Sequence, residues 1–218
     1  MSMKRIAFYG GTFDPVHCGH IDIAKRMLEL FSLDEFLFLP AFHAPHKSEN
    51  QPTSAYHRFA MLTLATADEP HIRVSTLELE HSEKRFTVET LPEIIAKFSD
   101  TEIFFVMGAD SWADIRTWRE WESVLLMTNH IVVTRPGYAI DFDHVTDAVR
   151  GRVVDLRNTG RSPVPRQAGL KIFITDAVEV DVSATEIRDD VREDDRLDRK
   201  DDVPEEVAKY IEKYELYK

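Results

Sequence analysis

Two histidines three residues apart, His17 and His20, follow a glycine pair, Gly10 and Gly11, in the segment GGTFDPVHCGH. Near a helix start, residues at that spacing share one side. Two imidazoles there can donate hydrogen bonds to a triphosphate and to the charge that builds up when its α-phosphorus is attacked. Glycines just past a strand let the backbone bring its N–H groups close to a phosphate. The spacing matches neither GxGxxG nor GxxxxGK[ST], so neither a dinucleotide turn for hydride transfer nor an NTPase phosphate loop is implied. Cys18 lies between the histidines, but direct phosphoryl transfer between two bound substrates requires no nucleophile from the protein.

The elements that must position these residues are legible in the hydrophobic pattern. Apolar runs of strand length alternate with longer amphipathic stretches, the pattern of a parallel sheet with helices on its faces. Strands are expected at Ile6–Tyr9, Phe36–Leu39, Ile103–Met107, Ile131–Thr134 and Leu170–Ile174, with one or two short ones over Ile72–Leu79. Helices are expected at about His20–Phe31, Tyr56–Ala67, Val88–Phe98, Trp118–Met127, Thr185–Arg192 and Pro204–Tyr214. Beyond Pro136 the pattern loosens, and Arg157–Gly169 reads as an exposed loop. The mixed-charge run REDDRLDRKDD reads as a solvated helix end and linker. The expectation is an α/β chain with a Rossmann-like doubly wound parallel sheet, residues 1–218 forming one domain with a helical subregion from about 183 onward.

With 218 residues, 43% of them hydrophobic and 30% charged, the chain can bury a sizeable core. A formal net charge of −12 repels nucleic acid and anionic membranes at long range, so neither is expected as a partner and any phosphate is expected in a local pocket. The single cysteine excludes an internal disulfide and a thiol-based zinc site, and no protein-held metal is expected. The apolar stretch in MSMKRIAFYGG is too short for a signal peptide, and no run of eighteen apolar residues occurs. A soluble, cytoplasmic protein is expected; the sequence is silent on oligomeric state.

GGTFDPVHCGH resembles the signature of the nucleotidyltransferase superfamily, which includes adenylyltransferases for nicotinate mononucleotide, nicotinamide mononucleotide and phosphopantetheine, and several cytidylyltransferases. VSATEIR, Val182 to Arg188, resembles that superfamily's second signature, with Ala184 where serine is usual. The resemblance implies ATP contacts from Gly10, Gly11, Thr12, Phe13, His17 and His20, from Gly108 and Asp110, and from Ser183, Thr185 and Arg188. Ser183 and Glu186 have the spacing of a capping box, which would leave first-turn N–H groups facing phosphate oxygens. A planar guanidinium at Arg188 suits the β- and γ-phosphates. In PAFHAPHKS, His46 and Lys47 resemble a family loop beside the acceptor and the phosphates.

For the acceptor, FVMGADSWADIRTWREWESVL places Gly108 and Asp110 at the carboxyl end of a strand. Asp110 there can hold a ribose hydroxyl. Thr117 and Glu120 read as a second capping box, which would put Trp118 and Arg119 in a first helical turn with N–H groups ready for a carboxylate. Trp118 offers a face on which a pyridine ring can stack, whereas Trp112 and Trp121 are expected in the core. RFTVETL resembles an acceptor-binding segment, from which Thr87 carries over, and Arg135 in TRPG matches a position near the acceptor phosphate. These segments and the tail VPEEVAKYIEKYELY resemble the bacterial nicotinate-mononucleotide adenylyltransferases. The resemblance implies AMP transfer from ATP to nicotinic acid mononucleotide, with Mg²⁺ carried by the ATP phosphates and His17, His20, Lys47 and Arg188 neutralising charge. Another acceptor on the same fold, or a non-catalytic nucleotide sensor, is the alternative.

Overall fold

The computed structural model describes residues 3–42, 52–81, 84–134, 140–157, 159, 162–178, 182–194 and 202–218. The chain runs β1 (Lys4–Gly11), α1 (Cys18–Leu30), β2 (Glu35–Pro40), α2 (Ala55–Ala65), β3 (Ile72–Val74), α3 (Thr87–Lys97) and β4 (Thr101–Gly108). It continues through α4 (Ala109–Ala113), a 3₁₀ turn at Ile115–Thr117, α5 (Trp121–Met127), β5 (Asn129–Val133), α6 (Asp147–Arg150), β6 (Val153–Asp155), β7 (Ile172–Thr175), α7 (Ala184–Asp194) and α8 (Glu205–Lys213).

Every strand pairing among the described residues is parallel, and the order is β3-β2-β1-β4-β5-β7-β6. Strands covered on both faces need apolar side chains at successive positions rather than alternate ones. Ile6 to Tyr9 in β1 and Ile103 to Met107 in β4 meet that demand, and all are buried. One face packs Tyr9, Phe36, Phe38 and Phe104 against α1, whose Ile23, Ala24, Met27 and Leu30 form the inward stripe. The other face packs Phe8, Phe105 and Val132 against Leu91, Trp112 and Leu125 from α3, α4 and α5. Trp112 is 1% exposed and Trp121 packs against the same core, as their sequence context implied.

Two short elements escape the sequence pattern. α6 has four residues and β6 three, too few for a periodicity, and β6 sits on the sheet edge beside β7. Of the stretch Ile72–Leu79, only Ile72–Val74 is strand. The described residues of the Arg157–Gly169 segment are largely exposed, as expected, but are pinned by Val164, which is buried and donates its N–H to Leu30 O at 2.7 Å.

Candidate active site

The chain leaves β1 toward β2 on one side of the sheet, whereas β4, the other neighbour of β1, leads on to β5. Such a reversal opens a crevice at the carboxyl ends of the two strands. Tyr9 pairs with Val106, which sets Gly10 and Gly11 beside Gly108 at that edge. A cleft of about 710 Å³ opens there. α1, α3, α4 and α7 all begin at its wall, with His17, Thr87, Gly108 and Ser183 lining it. Helix starts present unshared N–H groups and the positive ends of their dipoles, so this local field favours anions despite the acidic net charge.

The glycines are required by packing as well as by access. A Cβ on Gly10 would lie 2.8 Å from Phe105 Cζ, and one on Gly11 2.7 Å from Phe13 Cζ. Phe13 itself is at φ 52°, in the left-handed region, which turns its ring back over Gly11 and edge-on to Phe38 and His20. His17 caps α1 in extended conformation and is 1% exposed; His20 is 8% exposed. Their rings lie 3.7 Å apart at 31°. The His17 N–H donates to His20 Nδ1 at 3.3 Å. A nitrogen that accepts in this way leaves Nε2 as the protonated one in a neutral ring, so His20 presents an Nε2–H donor.

Arg188, just over one turn into the helix that Ser183 precedes, donates from Nη1 to Asp14 O at 2.6 Å and from Nη2 to Thr185 Oγ1 at 3.2 Å. These bonds tie the guanidinium to the turn that leads into His17. The Ser183 carbonyl accepts the Ile187 N–H at 3.1 Å, so Ser183 stands at the helix entrance that the spacing implied.

Beneath this turn lies a cation that local sequence did not reveal. Arg58 of α2 is fully buried. It donates to Thr53 O at 2.8 Å, Thr12 O at 2.6 Å, Ala41 O at 2.6 Å and Phe42 O at 3.3 Å. One guanidinium therefore ties the turn after β1 to both ends of the connection between β2 and α2. Burial lowers its pKa from the ordinary value, and the nearby Asp14 charge opposes that shift.

The acceptor half differs from expectation in one respect. Thr117 and Glu120 form no capping box. The Thr117 hydroxyl donates backward to Asp114 O at 2.7 Å, Trp118 is extended at φ −74° and ψ 140°, and Glu120 sits at φ 51° before α5 begins at Trp121. A left-handed residue cannot continue a right-handed helix, so Trp118 and Arg119 precede the helix rather than opening it. The Trp118 N–H is committed to Ile115 O at 2.9 Å and is not available to a carboxylate. The indole instead packs edge-on to Phe105, with centroids 6.4 Å apart, and faces the cleft.

Arg119 supplies the positive charge at this end: its guanidinium lies 5.3 Å from the Phe86 ring centroid and 3.1 Å from Glu89. Thr87 is the first residue of α3, where an N–H has no intrahelical carbonyl. Asp110 folds back over the strand end, so close that a Cβ on Gly108 would meet its Oδ1 at 2.5 Å.

Residues 8–190 match the family model described as cytidylyltransferase-like. The chain belongs to the cytidylyltransferase-like family. A "Probable nicotinate-nucleotide adenylyltransferase" of Thermoanaerobacter sp. is 33% identical over 98% of this chain and 94% of that protein. One of the same name from Citrifermentans bemidjiense is 34% identical over 84% and 85%. These matches place the chain in the nicotinate-nucleotide adenylyltransferase branch of the family. A third, from Symbiobacterium thermophilum, is 43% identical, with the match spanning 62% of this chain and 65% of that relative. The fold superposes on Plasmodium falciparum nicotinic acid mononucleotide adenylyltransferase complexed with NaAD at a TM-score of 0.74, with 23% identity, covering 98% of this chain and 97% of that one.

In this cytidylyltransferase-like cleft the structure brings together Gly10, Gly11, Thr12, Phe13, His17, His20, Thr87, Gly108, Asp110, Trp118, Arg119, Ser183, Thr185 and Arg188. His46, Lys47 and Arg135 lie outside the described residues. Asp14, Glu78 and Arg85 also line the cleft without having been singled out. Burial pushes the Glu78 carboxyl up to about 7, against the Thr90 hydroxyl it accepts at 2.9 Å and the charges of Arg85 and Arg58. Arg85 is held by Glu93 at 2.6 Å and by Glu89 O at 3.0 Å. No helix among the described residues is long and apolar enough to cross a membrane.

Proposed function

We propose that this chain transfers AMP from ATP to nicotinic acid mononucleotide in the cytoplasm, giving nicotinic acid adenine dinucleotide and pyrophosphate as a step of NAD biosynthesis. The observation that carries the proposal is the two-sided cleft: His17, His20 and Arg188 line the side with the glycine turn, while Trp118, Thr87 and Arg119 line the other. The names of the full-length relatives support the same reading.

The 5′-phosphate oxygen of the acceptor attacks the α-phosphorus in line. One P–O bond forms, the α–β bridging P–O bond breaks, and pyrophosphate departs with the electron pair. The nucleophile is already an anion, so no general base is required, and catalysis consists of alignment and charge neutralisation. His20 Nε2–H, His17 and Arg188 serve the triphosphate, with Lys47 as a further cation. Mg²⁺ carried by the ATP phosphates would offset charge on the leaving pyrophosphate. A hard cation held by phosphate oxygens needs few protein ligands, and the Asp14 carboxylate on the triphosphate side is taken up by the Thr53 N–H and the Tyr217 hydroxyl. Asp110 takes a ribose hydroxyl and Trp118 stacks on the pyridine ring. Preference for the acid over the amide comes from Arg119 and the Thr87 N–H, since an amide N–H₂ would face these donors unpaired.

The deciding assay incubates pure protein with ATP and Mg²⁺ plus nicotinic acid mononucleotide, nicotinamide mononucleotide or phosphopantetheine, separately, and follows pyrophosphate release. Release with the nicotinic acid compound and little with the others is expected. Release only with another acceptor would overturn the acceptor assignment, and none with any acceptor would overturn the activity.

A further inference from the structure

Asp14 stands beside the catalytic turn and is 6% exposed, yet the transfer reaction assigns it no task. Its side chain accepts two bonds from far along the chain: the Thr53 N–H at 3.0 Å to Oδ2 and the Tyr217 hydroxyl at 2.7 Å to Oδ1. Its carbonyl accepts the Arg188 guanidinium. One residue thus joins the turn after β1, the entry to α2, the triphosphate-side arginine and the segment following α8.

We propose that Tyr217 is a positioning residue for the ATP half of the site: its hydroxyl fixes Asp14, and Asp14 in turn fixes both the turn and the Arg188 guanidinium. The inference rests on the reading of Arg188 as the triphosphate grip. A bond between a hydroxyl and a buried carboxylate is directional and strong, so it sets the rotamer of Asp14 as well as its burial. Burial and the Asp14 charge both raise the Tyr217 pKa, so the phenol stays a donor throughout the working range. A second contact comes from the same part of the chain, where the Cys18 N–H donates to Asp202 O at 2.8 Å. The C-terminal segment therefore grips both sides of His17, before it at Asp14 and after it at Cys18. Its contacts at Asp14 and Cys18 fall on the triphosphate side.

That asymmetry separates positioning from general stability. Tyr217→Phe keeps the ring and removes only the hydroxyl. A control, Tyr210→Phe, removes another tyrosine hydroxyl, which bonds His57 Nδ1 at 2.9 Å away from the cleft. The measurements are KM for ATP, KM for nicotinic acid mononucleotide, and the dissociation constant of a non-hydrolysable ATP analogue without acceptor. For Tyr217→Phe, KM for ATP and the analogue's dissociation constant should rise about 5- to 20-fold, a fraction of what a charge-assisted bond is worth, with KM for the acceptor within twofold. Tyr210→Phe should match the wild type in all three.

Equal loss on both substrates, an effect confined to the acceptor, or wild-type values in Tyr217→Phe would each overturn the proposal. The analogue measurement requires no acceptor, so it reads the tail's role even if the acceptor is another mononucleotide. Failure of the activity itself would show instead in the wild-type protein.

Discussion

Replacing Arg58 by methionine keeps most of the side chain's length and removes the guanidinium. Three of its bonds are 2.8 Å or shorter and reach Thr53, Thr12 and Ala41 carbonyls. A hydrogen bond to a charged group contributes about 1.5 to 3 kcal/mol, so three would suggest a loss of roughly 5 to 9. The guanidinium, however, is fully buried, and its removal recovers part of the unfavourable desolvation that lowers its pKa. The net loss is therefore about 3 to 5 kcal/mol, typical of breaking a buried charged network. That is a large part of the 5 to 15 kcal/mol that usually holds a domain together, in order of magnitude.

Urea unfolding followed by tryptophan fluorescence measures this loss directly, and pyrophosphate release from the folded fraction should fall at least about tenfold, because Thr12 borders the triphosphate side. Arg58→Lys should recover less than half of the lost stability, since a single ammonium cannot span three carbonyls as a planar fork does. A change below about 1 kcal/mol in Arg58→Met, with turnover intact, would refute the view that this one cation holds the two connections together.

Three further outcomes are expected. His20→Ala should lower kcat about 100- to 1,000-fold while remaining folded by circular dichroism, as for removal of one preorganised donor; unchanged turnover would remove His20 from the mechanism. Trp118→Ala should raise KM for the acceptor about 5- to 100-fold, the range of one lost aromatic stack, with KM for ATP within twofold, and the reverse pattern would place the indole on the wrong substrate. The third concerns Glu78, which keeps its proton in the native state up to about 7, whereas the unfolded chain releases it near 4.5. Native protein then holds more protons than unfolded across that window, so this group's contribution to stability falls as pH rises. Burial holds His130 down at about 4, and between 4 and 6.5 it acts in the opposite direction, stability rising with pH. The two offset each other where they overlap. The stability of Glu78→Gln relative to wild type should accordingly increase from pH 4.5 to 7, and a difference that does not vary with pH would contradict the burial of Glu78.

The α/β class, the parallel sheet and the residues around the first turn were legible without coordinates. Those signals are local: successive apolar residues mark a strand buried on both faces, and glycine and histidine types at fixed spacing mark the turn that lines the cleft. The same holds for Ser183, Thr185 and Arg188, which share one helix start.

Local pattern misled at Thr117 and Glu120, where a capping spacing exists but Glu120 is left-handed and Trp118 is extended. Propensities of one turn amount to tenths of a kcal/mol, and burying part of an indole against Phe105 outweighs them. Nothing in the local sequence singles out Arg58. Its role depends on carbonyls from Thr12, Ala41 and Thr53 converging on it. The same limit hid the bond between Asp14 and Tyr217, 203 positions apart. Sequence patterns of a few residues report the backbone preference and the side that faces inward. Which distant polar groups meet beneath the turn depends on how whole elements pack, and the tertiary structure alone decides it.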